Sequence, residues 1–135
     1  MSDRFKFRAW HKEERKMVEV ESVYPYQDES TQGGEIFIEG FECSFYFPEE
    51  CELMQCTGLK DKNGKLIYEG DIVQIPNNWD EYGMLAGEKR EIYFNEGGFR
   101  LKPKWDKNSR GNWLEDTKDW EVIGNIYENK ELLDE

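Results

Sequence analysis

LMQCTGLKDKNGKLIYEGDIVQI, residues 53–75, is the stretch from which the fold of this 135-residue chain is read. Asn63-Gly64 is the strongest short-range hairpin signal a sequence offers, because a type I′ turn needs positive φ at both central residues. Asp61, Lys62 and Lys65 crowd that loop with polar groups, while Leu59 and Leu66-Ile67-Tyr68 supply the apolar arms. Glu69-Gly70-Asp71 is a second turn composition, and Ile72-Val73-Gln74-Ile75 is a β-rich run stopped by Pro76. The stretch therefore predicts strand, tight turn, strand, corner, strand. Asp61, Glu69 and Asp71 are the candidate carboxylate cluster, able to take Mg²⁺ if the corner brings them together. The plainer reading, which we prefer, is turn chemistry, in which Asp side chains accept from nearby backbone N–H groups.

Working outward, Phe5 to Trp10 alternates, with Phe5, Phe7 and Ala9 on one face and Lys6, Arg8 and Trp10 on the other. This predicts a strand with one buried face. His11 to Lys16 is charged and reads as a turn, and Met17 to Val23 alternates less cleanly and returns as the hairpin partner. Residues 24–34 are a polar loop, Glu35 to Phe41 and Ser44 to Phe47 are strands, and Pro48 to Glu52 suits a first helical turn. Pro76 to Gly87 is a loop with more apolar matter than exposure needs; its Trp79, Tyr82, Met84 and Leu85 are the candidate partner-binding residues. Strands at Lys89–Phe94, Phe99–Trp105 and Trp120–Tyr127 follow, and Asn129 to Glu135 adds one helical turn.

Many short strands divided by turns predict a mainly β fold with little helix. The expected form is a small SH3-like barrel with additional N-terminal strands. One domain over 1–135 is expected, with N-terminal strands and loop over 1–58 and the barrel-like part over 59–128. Aromatics reach 15%, which argues for a packed core despite 36% charged residues.

The net charge of −12 repels nucleic acid at long range. Met17 to Leu59 holds ten acidic residues and no basic one. Glu35, Glu39 and Glu42 could there imitate DNA phosphates for a basic protein. The one arguable nucleic-acid surface is Arg100, Lys102, Lys104 and Trp105, where bases would stack beside cations. Strand alternation explains the same pattern. Cys43, Cys51 and Cys56 match no zinc spacing, and the lone His11 has no nucleophile near it in sequence. No cofactor is expected. No stretch is apolar and long enough to span a bilayer, so a cytoplasmic protein with no membrane role is expected.

Leu53-Met54-Gln55, Thr57 to Lys65 and Ile67 to Val73 together resemble the signature of the YopX family of phage and prophage proteins. Phe7-Arg8-Ala9-Trp10, Glu96-Gly97-Gly98-Phe99 and Glu121 to Asn129 resemble its opening, middle and closing motifs. His11, Cys56 and Lys130 depart from it, standing where Asp, an aromatic and Pro are common. The resemblance implies a β-rich fold, a phage or prophage context and a homo-oligomer, and it implies no activity or catalytic residue. The expected function is thus a non-catalytic protein-binding or self-assembling module, with a phage or host protein as partner. An acidic DNA-mimic decoy and a metal-assisted enzyme using Asp61 and Asp71 are the alternatives.

Overall fold

The computed structural model describes residues 6–25, 33–38, 44–78, 86–95, 97–103, 112–114 and 117–134. The chain is mostly strand and divides into two compact units, Met1–Cys56 and Thr57–Glu135. Its elements are β1 (Phe7–His11), β2 (Lys16–Pro25), β3 (Gly34–Ile38), β4 (Ser44–Phe47), β5 (Cys51–Lys60) and β6 (Leu66–Tyr68). They continue with β7 (Asp71–Gln74), β8 (Lys89–Asn95), β9 (Gly98–Leu101), β10 (Asn112–Trp113), β11 (Glu121–Asn125) and a 3-10 helix, Lys130–Leu133.

The first unit is an antiparallel sheet in the order β4-β3-β2-β1-β5. Its core face carries Ala9, Ile36 and Cys51, with Val18, Val20, Val23, Phe45, Phe47 and Leu53 packed against them. A register shift between Val20 and Ser22 explains the imperfect alternation of β2. The bulge adds one residue, so Val23 returns to the face already held by Val18 and Val20. The expectation that β1 buries one face is corrected. Arg8 and Trp10, 9% and 8% exposed, are buried as well as Ala9 on the opposite face, and β1 is an inner strand paired on both edges. Pro48 to Glu50 form a turn running straight into β5, where one helical turn had been expected.

Gly34, at the start of β3, lies against the main chain of β2. A Cβ there would press on the Tyr24 carbonyl and stand 2.7 Å from Pro25 Cα. Backbone cannot yield as a flexible side chain can. Gly34→Ala is therefore expected to cost the first unit about 1–3 kcal/mol, read by urea unfolding. Unchanged stability would show that β2 and β3 can part there.

In the second unit the end of β5 forms a hairpin with β6, and β10-β9-β8-β7-β11 make a five-stranded antiparallel sheet. Among the described residues the strands stay in open sheets and close no barrel, so the mainly β expectation stands while the barrel takes the form of a sheet. Ile67, Val73, Ile75, Ile92, Leu101 and Trp120 are the core, joined by Leu114 and Val122.

Candidate functional site

The turn after β5 is where the sequence placed its strongest signal. Asn63 does not have positive φ; Gly64 does, at 79°. Gly64 N–H donates to Asp61 O at 3.0 Å, and Asp61 N–H to Lys65 O at 2.9 Å. The loop is thus a turn closed by a one-residue glycine bulge, not type I′. Asp61 decides between them. Its Oδ1 accepts from Asn63 N–H and Lys65 N–H, both at 2.9 Å, which holds the longer loop. Its Oδ2 accepts from Val122 N–H at 2.9 Å, across 61 residues of sequence. Burial pushes this carboxyl up, but the three N–H donors, aided by Lys65, hold it below its ordinary value.

Around this point Thr117 Oγ1 donates to Lys60 O at 2.8 Å and Lys62 N–H to Trp120 O at 2.9 Å. Asp71 is buried and accepts from Tyr68 N–H at 2.8 Å, spanning the Glu69-Gly70 corner. Asp61 and Asp71 are therefore turn carboxylates. Among the described residues no three His, Cys, Asp or Glu side chains, Asp61, Glu69 and Asp71 included, form a group that could hold a metal. Asn125 repeats the logic at the end of β11. Its Oδ1 accepts from Tyr127 N–H and Glu128 N–H, both at 2.9 Å, and its Nδ2 donates to Glu128 Oε2 at 2.6 Å.

His11 is a correction. The sequence put it in an exposed charged turn, but it ends β1 and is 6% exposed. Its ring meets Phe45 edge-on at 4.6 Å, and Nδ1 accepts from Glu14 N–H at 3.1 Å. Cys51 and Cys56 are buried and are not joined in a disulfide. Burial, with Glu50 and Glu52 adding, pushes the Cys51 thiol up to about 11, which keeps it unreactive. Cys43, Glu39 and Glu42 lie outside the described residues.

Of the basic-strand candidates, Arg100 and Lys102 lie among the described residues. Arg100 is buried, and its Nε donates to Asn95 O at 3.3 Å. Lys102 is exposed and stands 3.8 Å from Glu91. Lys104 and Trp105 lie outside the described residues, as do Trp79, Tyr82, Met84 and Leu85.

Two features were not read from the sequence. The first is an aromatic row on the outer face of the first unit. Cross-strand register aligns Tyr24, Glu35 and Tyr46 on β2, β3 and β4. Tyr24 and Tyr46 are 59% and 43% exposed, and Tyr24 stacks edge-on against Phe37 at 5.4 Å. Alternation within Gly34–Ile38 and Ser44–Phe47 hinted at an outer face, but only pairing shows that the tyrosines share it. The second is a cleft of about 220 Å³ on the second unit, lined by Arg90, Glu91, Lys102, Pro103 and Leu133. Arg90 is locked beside it, with Nε and Nη2 donating to Lys102 O at 2.9 and 2.8 Å and Nη1 to Glu88 at 2.8 Å. Burial, only partly offset by Lys102 and Lys130 and reinforced by Glu69, raises the Glu91 carboxyl above its ordinary 4.5.

That raised value has a stability consequence. A carboxyl lifted in the folded state favours folding while protonated and opposes it once pH passes the folded value. Glu91→Gln is therefore expected to raise the melting temperature at pH 7 and to change little at pH 4. A lower melting temperature at pH 7 would mean that the charged form is well compensated.

No helix among the described residues is long and apolar enough to cross a membrane. What these observations define is a two-unit antiparallel β protein in which Asp61, Asp71 and Asn125 serve the chain's own turns. The chain belongs to the YopX family, whose profile (YopX protein) matches residues 6–134. It is 32% identical to protein EF1440 from Enterococcus faecalis, over 95% of this chain and 96% of that one, with a TM-score of 0.61. Protein yopX from Bacillus subtilis shares the fold at 21% identity, over 96% of this chain and 98% of that one, with a TM-score of 0.61. A search among curated proteins finds no match.

Proposed function

We propose that this chain is a non-catalytic, cytoplasmic binding module of a phage or prophage, which assembles with further copies of itself or with another protein. The observation that carries this is the aromatic row of the first unit, where Tyr24 and Tyr46 stand exposed on either side of Glu35. Exposed tyrosines on a rigid sheet offer large contact area at low entropic cost, and such aromatics are enriched where proteins meet. Supporting a non-catalytic role, Asp61, Asn125 and His11 hold backbone N–H groups. Buried cysteines that form no disulfide, Cys51 and Cys56, fit a reducing compartment.

Light scattering on the purified chain, together with a Tyr24→Ser/Tyr46→Ser double variant, tests the self-assembly arm. The expected result is a multiple of 16.1 kDa that falls in the double variant. A wild-type chain at its single mass, or a variant with unchanged assembly, overturns the self-assembly role given to this face.

A further inference from the structure

We infer that the cleft beside β8 receives one protruding cation, a primary ammonium on an aliphatic stem such as a lysine side chain of a partner. The inference concerns the second unit and does not rest on the tyrosine row.

The cleft's volume of about 220 Å³ lies below the roughly 300–1,000 Å³ of sites that enclose whole ligands. A single side chain suits it better than a cofactor. Its apolar wall is Pro103 and Leu133, which can lie along a hydrocarbon stem. Its polar wall carries both signs, so the compensation of each sign decides the ligand. Arg90 is already engaged by its own chain, through two bonds to the Lys102 carbonyl and one to Glu88. Lys102 is 54% exposed, so water solvates it without a ligand. Glu91 is in the opposite position. Its side chain is 15% exposed, and among the described residues its carboxylate has one ion pair, to Lys102 at 3.8 Å. That is well outside the roughly 2.7–2.9 Å of a charged hydrogen bond. A carboxylate removed from water without close donors is costly. The sign left short in this cleft is negative, and a cation supplies what is missing. The net charge of −12 draws cations toward the chain from a distance.

The same geometry selects ammonium over guanidinium. Lys102 Nζ stands against Glu91 Oε1. A planar guanidinium gains most by bridging both carboxylate oxygens, whereas an ammonium is a point donor that needs only one.

The test is a titration of the full chain with n-butylammonium at pH 7, followed by amide and side-chain carboxyl NMR shifts. Saturable shifts are expected at Glu91, Lys102 and Leu133, in the millimolar range suited to so small a probe. Glu91→Gln, checked by an otherwise superposable spectrum, should weaken binding at least tenfold. n-Butanol, with the same stem and no charge, should leave the three residues unmoved. The inference is overturned if the shifts persist in Glu91→Gln, if butanol reproduces them, or if none appear. Tighter binding of acetate would assign the cleft to anions instead, and equal binding of methylguanidinium would remove the selectivity argued here.

Discussion

Replacing Asp61 by Ala is expected to destabilise the second unit by about 3 kcal/mol, as estimated from lost bonds to a charged acceptor. The carboxylate serves Asn63, Lys65 and Val122 at once, and it is 5% exposed. The three bonds share one carboxylate, so the three losses are not additive. Asp61→Asn should cost roughly half as much. One amide oxygen can still serve either the turn or Val122, but the NH₂ then faces a donor at the other. The pH dependence follows from the lowered carboxyl. A group held below its ordinary 3.8 contributes fully above that value and loses its contribution as pH falls through the folded one. Urea unfolding at pH 7 and at stepped acid pH reads both effects. Wild type should lose stability below about pH 4 more steeply than Asp61→Asn. Equal acid slopes would mean that the carboxylate charge does not matter to the fold.

The second large effect is at Trp120. It is 1% exposed within the core formed with Ile67, Val73, Ile75, Ile92 and Leu101. Trp120→Ala removes a buried indole and leaves a cavity, at about 3–5 kcal/mol. Its backbone should hold position, because Trp120 N–H donates to Thr117 O at 3.0 Å and its carbonyl accepts from Lys62 N–H. The loss is therefore one of packing, and Trp120→Phe should recover much of it. Denaturant midpoints for the three proteins check this. A Phe variant as weak as the Ala variant would show that the indole contributes something beyond volume.

These two residues show what kind of information was legible in advance. Asp61 was read as turn chemistry from its place before Asn63-Gly64, and its bonds to Asn63 and Lys65 have that character. Its bond to Val122 was not legible, since nothing local ties residue 61 to residue 122. Trp120 was read as the start of the last strand, which begins one residue later at Glu121, and not as part of a core. His11 failed for a related reason. Its charged neighbours predicted exposure, while pairing of β1 on both edges buried it beside Phe45.

By itself the sequence determined the local grammar: the strands around Asp61, the corner at Gly70 and the mainly β character. Those depend on backbone preferences and on side chains bonding a few residues away, which a sequence displays directly. Tertiary structure alone decided that β2 bulges, that Tyr24 and Tyr46 stand on one face, and that Glu91, Lys102, Pro103 and Leu133 meet in a cleft. Those depend on the register between strands and on packing between distant segments. A shift of one residue reverses every face, so they exist only once the chain has paired.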